Sequence, residues 1–280
     1  MIIEEVAQQT LAFLEKKGIS SARRATEEML CHVLSLKRMD LYLDYQRPLN
    51  QDEVAACRTI LSRLGKGEPI QYILGNVNFY YCDFEISPHV LIPRPETELL
   101  VDKIVCELKK ESLVDKKLWD ICCGSGCIGV SLKKALPELE VTLSDISSEA
   151  VALSKKNAQS NDVDVSVLEG DLFAPFQGKA DFIVVNPPYV SHDEYALLSP
   201  SVKDFEPSLA LIAGDDGCDV YRALARNINK YLNPGGKLWL EIGYQQGELV
   251  KEIFESEGLS EGIVEQDWSG HDRFFSLENE

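Results

Sequence analysis

The chain has 280 residues, of which 45% are hydrophobic and 26% are charged. A chain of this length and composition can form at least one large buried core, in one or two domains. The formal net charge of −18 at pH 7 argues against binding to a phosphate backbone, for which proteins cluster Lys and Arg. A basic protein partner fits this charge better, and solubility alone is the competing explanation.

The acidic charge is concentrated after residue 85. Residues 1–85 hold 10 Lys and Arg against 12 Asp and Glu, whereas residues 86–280 hold 18 against 34, a net charge of −16. The N-terminal sequence Met1–Glu5 has an acidic pair where a secretory signal has Lys or Arg, and no apolar stretch approaches 18 residues. We therefore expect a cytoplasmic protein. Its eight cysteines lack paired C-x-x-C spacing, so we expect reduced thiols and no disulfides.

The first part of the chain has apolar residues at helical spacing, from Ile2 to Leu64. Gly18 occupies the position of a helix C-cap, and Asn50 with Glu53 forms a capping-box pattern that opens the third helix. These features predict a small helical domain over residues 1–67.

A linker is predicted over residues 68–92. The runs Ile70–Leu74 and Val77–Tyr81 flank Gly75-Asn76, which is a two-residue turn signal. The pattern predicts a β-hairpin in which these two runs are the strands.

Residues 93–280 are predicted to form an α/β domain. Pro95 suits the first turn of a helix over residues 96–110. Short apolar strands then alternate with amphipathic helices, which predicts a doubly wound, mostly parallel sheet with ligands at the carboxyl ends of its strands. The predicted strands are Leu118–Cys122, Val141–Ser144, Val165–Leu168, Phe182–Val185 and Lys237–Ile242.

A cofactor site is predicted where the first of these strands ends. That strand leads into Cys123-Gly124-Ser125-Gly126, where glycines let the backbone approach a ligand, and Asp145 ends the next strand, where it can accept from ribose hydroxyls. The G-x-G-x-x-G spacing that dinucleotides require is absent, but S-adenosylmethionine has no phosphate and does not need it. A tight structural turn is the competing interpretation.

Further cofactor contacts are predicted after the third strand, at Glu169-Gly170-Asp171-Leu172-Phe173. Methyltransferases place residues around the adenine ring at this position, and we assign Leu172 to it. An ordinary polar turn that is capped by Asp171 explains the same residues.

The strongest motif is Asn186-Pro187-Pro188-Tyr189, which follows the fourth strand. The prolines fix a rigid turn at the edge of the sheet. The Asn186 side-chain oxygen and the Pro187 carbonyl can each accept one N–H of a planar amide or amine, which aims its nitrogen at a methyl donor, and Tyr189 can pack on the flat group. None of the four histidines falls in these motifs, and methyl transfer to nitrogen requires no strong general base.

With these motifs the chain resembles the protein-glutamine methyltransferases of release factors, the HemK/PrmC family. The resemblance runs over nearly the whole chain. It is carried by Glu68–Gly75, Leu91–Glu98, Gly124–Ile128, Asp145–Ser147, Asn186–Tyr189, Phe205–Pro207 and Leu240–Gly243. The run Ile92-Pro93-Arg94-Pro95-Glu96-Thr97-Glu98 is more restricted than Asn-Pro-Pro-Tyr, which DNA and RNA amino-methyltransferases share.

The resemblance implies a helical domain that helps to dock the release factor, a hairpin linker and a seven-stranded methyltransferase domain. The implied reaction is methyl transfer from S-adenosylmethionine to the glutamine of a Gly-Gly-Gln loop, which modulates translation termination. Pro93–Glu98 would lie over the pocket, with Glu96 and Thr97 among the residues that bind substrate. We expect a monomer without direct binding to nucleic acid or membrane.

One departure from the family pattern is Cys122, where the family usually has the first glycine of its Gly-x-Gly-x-Gly sequence. A Cys fits this turn if its φ is negative, so we expect altered packing and retained cofactor binding. A metal site at Cys122, Cys123 and Cys127 is not expected, because adjacent cysteines rarely ligate one tetrahedral ion and no histidine is near in sequence.

Three alternatives stay open at this point. A DNA or RNA methyltransferase that acts on the exocyclic amine of adenine or guanine would use the same tetrapeptide on a flipped base. A non-catalytic binding protein could retain the fold and dock the translation machinery. A dehydrogenase is a weaker alternative.

Overall fold

The computed structural model describes residues 1–19, 21–259 and 262–279, which form two compact units. The helical unit comprises Met1–Asn76 together with Pro200–Phe205, and the sheet unit comprises Val77–Ser199 and the chain from Glu206 onward. The functional division into a docking domain, a linker and a catalytic domain stays a prediction.

The helical unit begins with the three predicted helices and a short one between the second and the third. Its first four helices are α1 (Ile3–Lys16), α2 (Ala22–Leu34), α3 (Arg38–Leu43) and α4 (Gln51–Leu64). The capping box is confirmed, because the Glu53 backbone N–H donates to Asn50 Oδ1 over 2.9 Å and the Asn50 N–H donates to Glu53 Oε2 over 2.8 Å. The core of this unit is built around fully buried side chains such as Leu14 and Met29.

A hairpin is present, but the first predicted strand is wrong, and the second, Val77–Tyr81, overlaps the first strand of the observed hairpin. Ile70–Leu74 forms a helix, α5, which Gly75 ends with a φ of 76°. The hairpin consists of β1 (Asn76–Phe79) and β2 (Cys82–Glu85). Gly75 therefore caps a helix instead of turning a hairpin, and the apolar run before it packs on the helical core through Ile70.

The hairpin turn is made by Tyr80 and Tyr81, whose φ values are 42° and 63°. Positive φ at both central residues is the geometry that matches the twist of two-residue hairpins. Neither tyrosine is typical of such a turn, so the turn left no signal in the sequence.

The sheet unit has the predicted doubly wound, seven-stranded and mostly parallel sheet, in the order β5-β4-β3-β6-β7-β9-β8. Its strands are β3 (Lys117–Ile121), β4 (Glu140–Asp145), β5 (Ser166–Glu169), β6 (Ala180–Val185), β7 (Leu232–Glu241), β8 (Ile263–Gln266) and β9 (Asp272–Glu278). Only β9 runs antiparallel to its two neighbours.

Helices cover both faces of this sheet. The remaining helices are α6 (Pro95–Leu108), α7 (Cys127–Ala135), α8 (Ser148–Ser160), α9 (His192–Leu197), α10 (Pro200–Lys203, in the helical unit), α11 (Asp219–Tyr231) and α12 (Gly247–Ser256). Side chains of the central strands alternate between two buried clusters: Phe182 and Val184 pack on the side of α6 and α7, and Ile183 and Val185 pack on the side of α11 and α12.

The parallel connections bring the carboxyl ends of β3, β4 and β6 to one edge of the sheet. The predicted motifs follow these strands directly, so the fold gathers them at this edge. Within the described residues, no helix is both long and apolar enough to cross a membrane.

Candidate active site

A cavity of about 340 Å³ opens at this edge of the sheet unit. Its volume lies in the range of sites for small organic ligands. The predicted residues in its wall are Thr97, Cys122, Cys123, Gly124, Ser125, Asp145, Leu172, Asn186 and Pro188. Residues that were not predicted as site residues also line it, and they include His89, Ala150, Pro207 and Leu209.

The turn between β3 and α7 forms the floor of the cavity. Gly124 and Gly126 have φ values of 53° and 79°, which favour glycine. A Cβ on Gly126 would lie 3.0 Å from side-chain carbons of Leu143 and Ser154. The two glycines therefore allow a tight turn that keeps its backbone close to the cavity, as a bound nucleoside requires.

Cys122 adopts a different conformation from the one we expected. Its φ is 59°, so the condition of a negative φ is wrong, and a non-glycine residue occupies the left-handed region. Such a residue costs of order 1 kcal/mol or more, which the surrounding structure must offset. Burial and the carboxylate of Asp145 raise the pKa of the Cys122 thiol, so it is an inert wall group and not a nucleophile.

Asp145 is held rigidly at the end of β4. Its Oδ2 accepts from the Gly124 N–H over 2.8 Å and its Oδ1 accepts from the Ser147 N–H over 2.9 Å. Burial raises the pKa of this carboxyl, and the backbone donors of Ser147 and Gly124 act against the shift. Each oxygen keeps a lone pair for a further donor, so Asp145 can accept from a ribose hydroxyl as expected.

Leu172 lines the cavity with a φ of 43°, which is unusual for a leucine. The side chain also packs against the buried cluster that contains Phe173 and Phe176. A rigid apolar side chain in the cavity wall suits contact with an adenine ring, which is the role that we assigned to it.

The tetrapeptide is fixed at the end of β6. Pro187 is buried, and Pro188 and Tyr189 are half-buried. Gln246 holds the far end of the motif, because its Nε2 donates to the Tyr189 carbonyl over 3.0 Å. Burial, followed by the charge of Glu241, raises the pKa of Tyr189 to about 12, which keeps its hydroxyl neutral.

Asn186 presents an unsatisfied acceptor. Its Oδ1 is buried and has no hydrogen-bond partner, while its Nδ2 lies 3.4 Å from Thr97 Oγ1. No described residue donates to the Pro187 carbonyl. Buried acceptors without partners are rare in folded proteins, so Asn186 Oδ1 indicates a place for an N–H ligand.

Glu241 was not assigned to the site, although it lies in the run Leu240–Gly243 that the chain shares with the family. It ends β7, is 1% exposed, and accepts from Thr97 Oγ1 over 2.6 Å. Burial raises the pKa of Glu241, and the Thr97 hydroxyl and Arg273 oppose the shift. A carboxylate in the apolar run Leu238–Ile242 was the signal in the sequence, because a charge in a buried strand requires a partner.

The half-buried Arg94 and the buried Glu206 form an ion pair beside the cavity. Arg94 Nη2 donates to Glu206 Oε1 over 2.7 Å, and the Ile92 N–H donates to Glu206 Oε2 over 3.3 Å. The pair ties the segment before α6 to the loop after residue 205. Of the run that we expected over the pocket, Pro93, Arg94 and Thr97 line the cavity, whereas Glu96 does not.

The cysteines and histidines of the site have no metal-binding arrangement. Burial raises the pKa of Cys127 to about 12 and that of Cys123 well above its usual value. Across residues 1–19, 21–259 and 262–279, no group of three or more His, Cys, Asp or Glu side chains could hold a metal ion. All eight cysteines are free thiols. His89 is exposed at the rim of the cavity, outside the motifs.

The comparisons with known proteins agree with this geometry. Residues 5–75 match the model of the PrmC N-terminal domain, and residues 95–202 match that of the methyltransferase small domain. A Geobacter sulfurreducens release factor glutamine methyltransferase is 40% identical over 272 residues, which cover 97% of this chain and 94% of that protein. This chain belongs to the release factor glutamine methyltransferase family.

A second relative and a solved structure are also similar to this member of the release factor glutamine methyltransferase family. A protein of the same name from Chlamydia trachomatis is 40% identical over 280 residues, 99% of this chain and 94% of the relative. The structure of a Thermus thermophilus 16S rRNA methyltransferase, solved in complex with AdoMet and guanosine, superposes with a TM-score of 0.54 at 17% identity. The match covers 73% of this chain and 50% of the Thermus chain. The latter likeness shows the class I methyltransferase fold. Membership of the family, together with the match to the methyltransferase small domain, makes the chain an S-adenosylmethionine-dependent methyltransferase.

Proposed function

We propose that this protein transfers a methyl group from S-adenosylmethionine to the side-chain amide nitrogen of the glutamine in the Gly-Gly-Gln loop of peptide-chain release factors. The observation that carries the proposal is the buried acceptor Asn186 Oδ1, which has no hydrogen-bond partner. Near full-length similarity to proteins named for this activity supports the glutamine as the acceptor. The modification modulates translation termination, and we place it in the cytoplasm.

The residues of the cavity fit the cofactor. Asp145 would accept from the ribose hydroxyls, Leu172 would contact the adenine, and the turn at Cys122–Gly126 would lie against the remainder of the molecule. When bound, S-adenosylmethionine supplies a methyl group on a positively charged sulfur. The carboxylates and carbonyls of the site suit such a cation, and no basic cluster for a pyrophosphate is required.

The tetrapeptide would orient the substrate amide. Asn186 Oδ1 and the Pro187 carbonyl each accept one N–H of the glutamine, which leaves the nitrogen lone pair perpendicular to the amide plane and directed into the cavity. The same two oxygens stabilise the positive charge that develops on the nitrogen during transfer. Tyr189 packs on the amide, and Glu96, whose charge raises the pKa of Tyr189, is a candidate substrate contact. The proton of the methylated nitrogen then leaves to water.

We also propose that the helical unit contributes to docking of the release factor, and that a single chain is active. All the site residues named above come from the sheet unit of one chain. The net charge of −16 over residues 86–280 favours a protein substrate over nucleic acid.

The decisive experiment is mass spectrometry of a release factor after incubation with the protein and S-adenosylmethionine. We expect one added methyl group on the loop glutamine. A parallel reaction with labelled donor and total nucleic acid distinguishes the alternative, because label that appears only in nucleic acid would contradict the proposal.

Replacement of Asn186 tests its assigned role. Asn186→Ala should lower kcat by roughly 10²–10³, about 3–4 kcal/mol, because one preorganised acceptor is lost. The exposed Asn227 on α11 provides a control, and Asn227→Ala should leave turnover unchanged. Unchanged turnover of the Asn186 variant would reject the role.

A further inference from the structure

The two ends of the Asn186 amide have different surroundings. Nδ2 lies 3.4 Å from Thr97 Oγ1, whereas Oδ1 is buried without a partner. An Asn side chain can rotate by 180° and exchange these two atoms with little change in shape, so only hydrogen bonds decide which end faces the substrate. Transfer to an amide requires the oxygen at that place, because the nitrogen cannot accept an N–H.

Thr97 is the hydrogen-bond partner of the end of the Asn186 amide that points away from the substrate. It lies in the first turn of α6, is 1% exposed, and its Oγ1 is 2.6 Å from Glu241 Oε2. This distance is typical of a hydroxyl that donates to a carboxylate. A threonine has one hydroxyl proton, so once it is donated to Glu241 the hydroxyl can only accept from other groups.

This arrangement selects one orientation of Asn186. With Nδ2 toward Thr97, the amide donates to the hydroxyl lone pair. With Oδ1 toward Thr97, two acceptors would face each other without a proton, and the Asn186 nitrogen would face the substrate. The difference is about one hydrogen bond, which corresponds to a population ratio of roughly 10 to 100.

The sheet places the three groups together. Val185 of β6 is paired with Leu240 of β7, so the residues that follow them, Asn186 and Glu241, are neighbours at the carboxyl edge. Glu241 is 1% exposed, and Thr97 is the side chain that donates to it. Burial of a carboxylate is costly even with the Thr97 hydrogen bond and the charge of Arg273, which points to a role other than holding the fold.

We propose that Glu241 acts through Thr97 as a positioning residue, which holds Asn186 with Oδ1 toward the substrate amide. The inference rests on the proposed function and deepens it. Neither Glu241 nor Thr97 needs to touch the reacting atoms, so both differ in role from Asn186.

Kinetics of three variants test the chain of hydrogen bonds. Thr97→Val keeps the shape but removes the hydroxyl, so kcat/KM should fall about 10- to 100-fold, while the Kd of S-adenosylhomocysteine stays within about twofold. Thr97→Ser keeps the hydroxyl and should retain activity within about threefold. Glu241→Gln can either accept from Thr97 or donate to it, so both Asn186 orientations are satisfied and the loss should be smaller, about two- to tenfold.

A matched control is Thr26→Val, which removes a buried hydroxyl from α2 that donates to the Ala22 carbonyl. This variant should turn over like the wild type. The positioning role is overturned if Thr97→Val has wild-type kcat/KM. It is also overturned if Thr97→Ser loses as much activity as Thr97→Val, or if the loss comes with equally weakened binding of S-adenosylhomocysteine, because either result indicates a structural role.

Neutron diffraction of the deuterated protein with S-adenosylhomocysteine gives a readout that does not depend on turnover. We expect a deuterated Nδ2 of Asn186 toward Thr97 and the Thr97 deuteron on the side of Glu241. The Glu241→Gln variant should show a mixed or reversed Asn186 amide. The opposite orientation in the wild type, or an unaltered one in the Gln variant, overturns the inference. Failure of the wild type to methylate a release factor would instead overturn the proposed function and leave this readout intact.

Discussion

Cys122 holds a backbone conformation that glycine adopts at less cost. Its φ of 59° lies in the left-handed region, where a Cβ is strained. The thiol side chain also packs against the buried cluster on the α11 and α12 side of the sheet. At the floor of the cofactor cavity, contact of this side chain with the core therefore acts against the backbone strain.

Two substitutions separate these contributions. The free energy of unfolding should be about 1 kcal/mol higher for Cys122→Gly than for Cys122→Ala. Both variants lack the thiol, but only the alanine retains the strained Cβ. Urea denaturation of the two variants measures the difference. Both should still bind S-adenosylhomocysteine, and an alanine variant at least as stable as the glycine variant would show that the strain is absent.

Asp120 is a buried carboxyl below the cofactor turn. Its Oδ2 accepts from the Gly129 N–H over 2.8 Å, whereas its Oδ1 is buried without a partner. Burial raises the pKa of Asp120 to about 7, and the Gly129 N–H acts against the shift. Below this pH the folded protein holds a proton that the unfolded chain releases near pH 4.

The raised pKa predicts a pH dependence of stability. The favourable contribution of protonated Asp120 is complete below about pH 4 and is lost as the pH rises to about 7, by at most roughly 4 kcal/mol. Asp120→Asn keeps an acceptor for Gly129 and has no proton to lose. Urea denaturation between pH 4.5 and 8 should therefore show the variant gaining stability relative to the wild type as the pH rises. A constant difference across this range would contradict the assignment.

The residues of the site differ in how far the sequence reveals them. Asn186 and Gly124 belong to short contiguous motifs whose residue types follow from chemistry, so they could be predicted. The partner of Thr97 could not be, because Glu241 lies 144 residues away and only the sheet brings the two together. Cys122 was predicted at the right place with the wrong φ, since the turn imposes its conformation on whichever residue occupies it.

At the scale of elements, α8 joins the hairpin to the cofactor turn. Asn157 accepts from the Glu85 N–H over 2.8 Å and donates to the Glu85 and Ser125 carbonyls, each over 2.9 Å. One turn later, the Asn161 side chain accepts from the Asp83 N–H and donates to the Asp83 carbonyl. Two side chains at i and i+4 thus satisfy the free edge of β2, which limits pairing with other chains.

The two asparagines should differ in their effect on the cofactor. Alanine at either position removes bonds to β2 and should lower the free energy of unfolding by about 1–3 kcal/mol. Only Asn157→Ala also frees the Ser125 carbonyl in the cofactor turn, so only this variant should weaken binding of S-adenosylhomocysteine. Calorimetry on both variants measures the difference, and equal affinities would show that α8 does not support the turn.

The more deeply a strand is buried, the more clearly the sequence predicted it. The central strands β3 and β6 are covered on both faces and appear in the sequence as apolar runs, which only Asp120 interrupts in β3. The strands β8 and β9 left no comparable signal, since β8 lies at the edge and mixes exposed and half-buried positions. Ile70–Leu74 has the β-branched and aromatic content of a strand, but packing of the helical unit makes it a helix.

At the scale of the whole molecule, the net charge of −18 should control association with the substrate. Charge complementarity accelerates encounter with a basic partner and is screened by salt within about 10 Å at 0.1 M. The KM for a release factor should therefore rise several-fold as ionic strength increases from about 0.02 to 0.3 M. The kcat should stay constant.

A short uncharged peptide that contains Gly-Gly-Gln provides the control. Its KM should not respond to salt, because it lacks the charge that the protein attracts. Steady-state assays of both substrates at matched ionic strengths make the comparison. A KM for the release factor that is independent of salt would show that the acidic surface serves solubility alone.

The pairing of β6 with β7 has a consequence for how the chain tolerates changes in length. Between the pairs Ala180–Leu232 and Phe182–Lys237, β6 advances by two residues while β7 advances by five, and the register is then regular up to Val185–Leu240. Extra residues are thus absorbed at the end of the sheet remote from the chemistry. A single residue inserted after Lys237 would instead turn the Glu241 side chain to the opposite face. We therefore expect insertions and deletions to be tolerated at the end of the sheet where β6 and β7 begin, and not between Lys237 and the active-site edge.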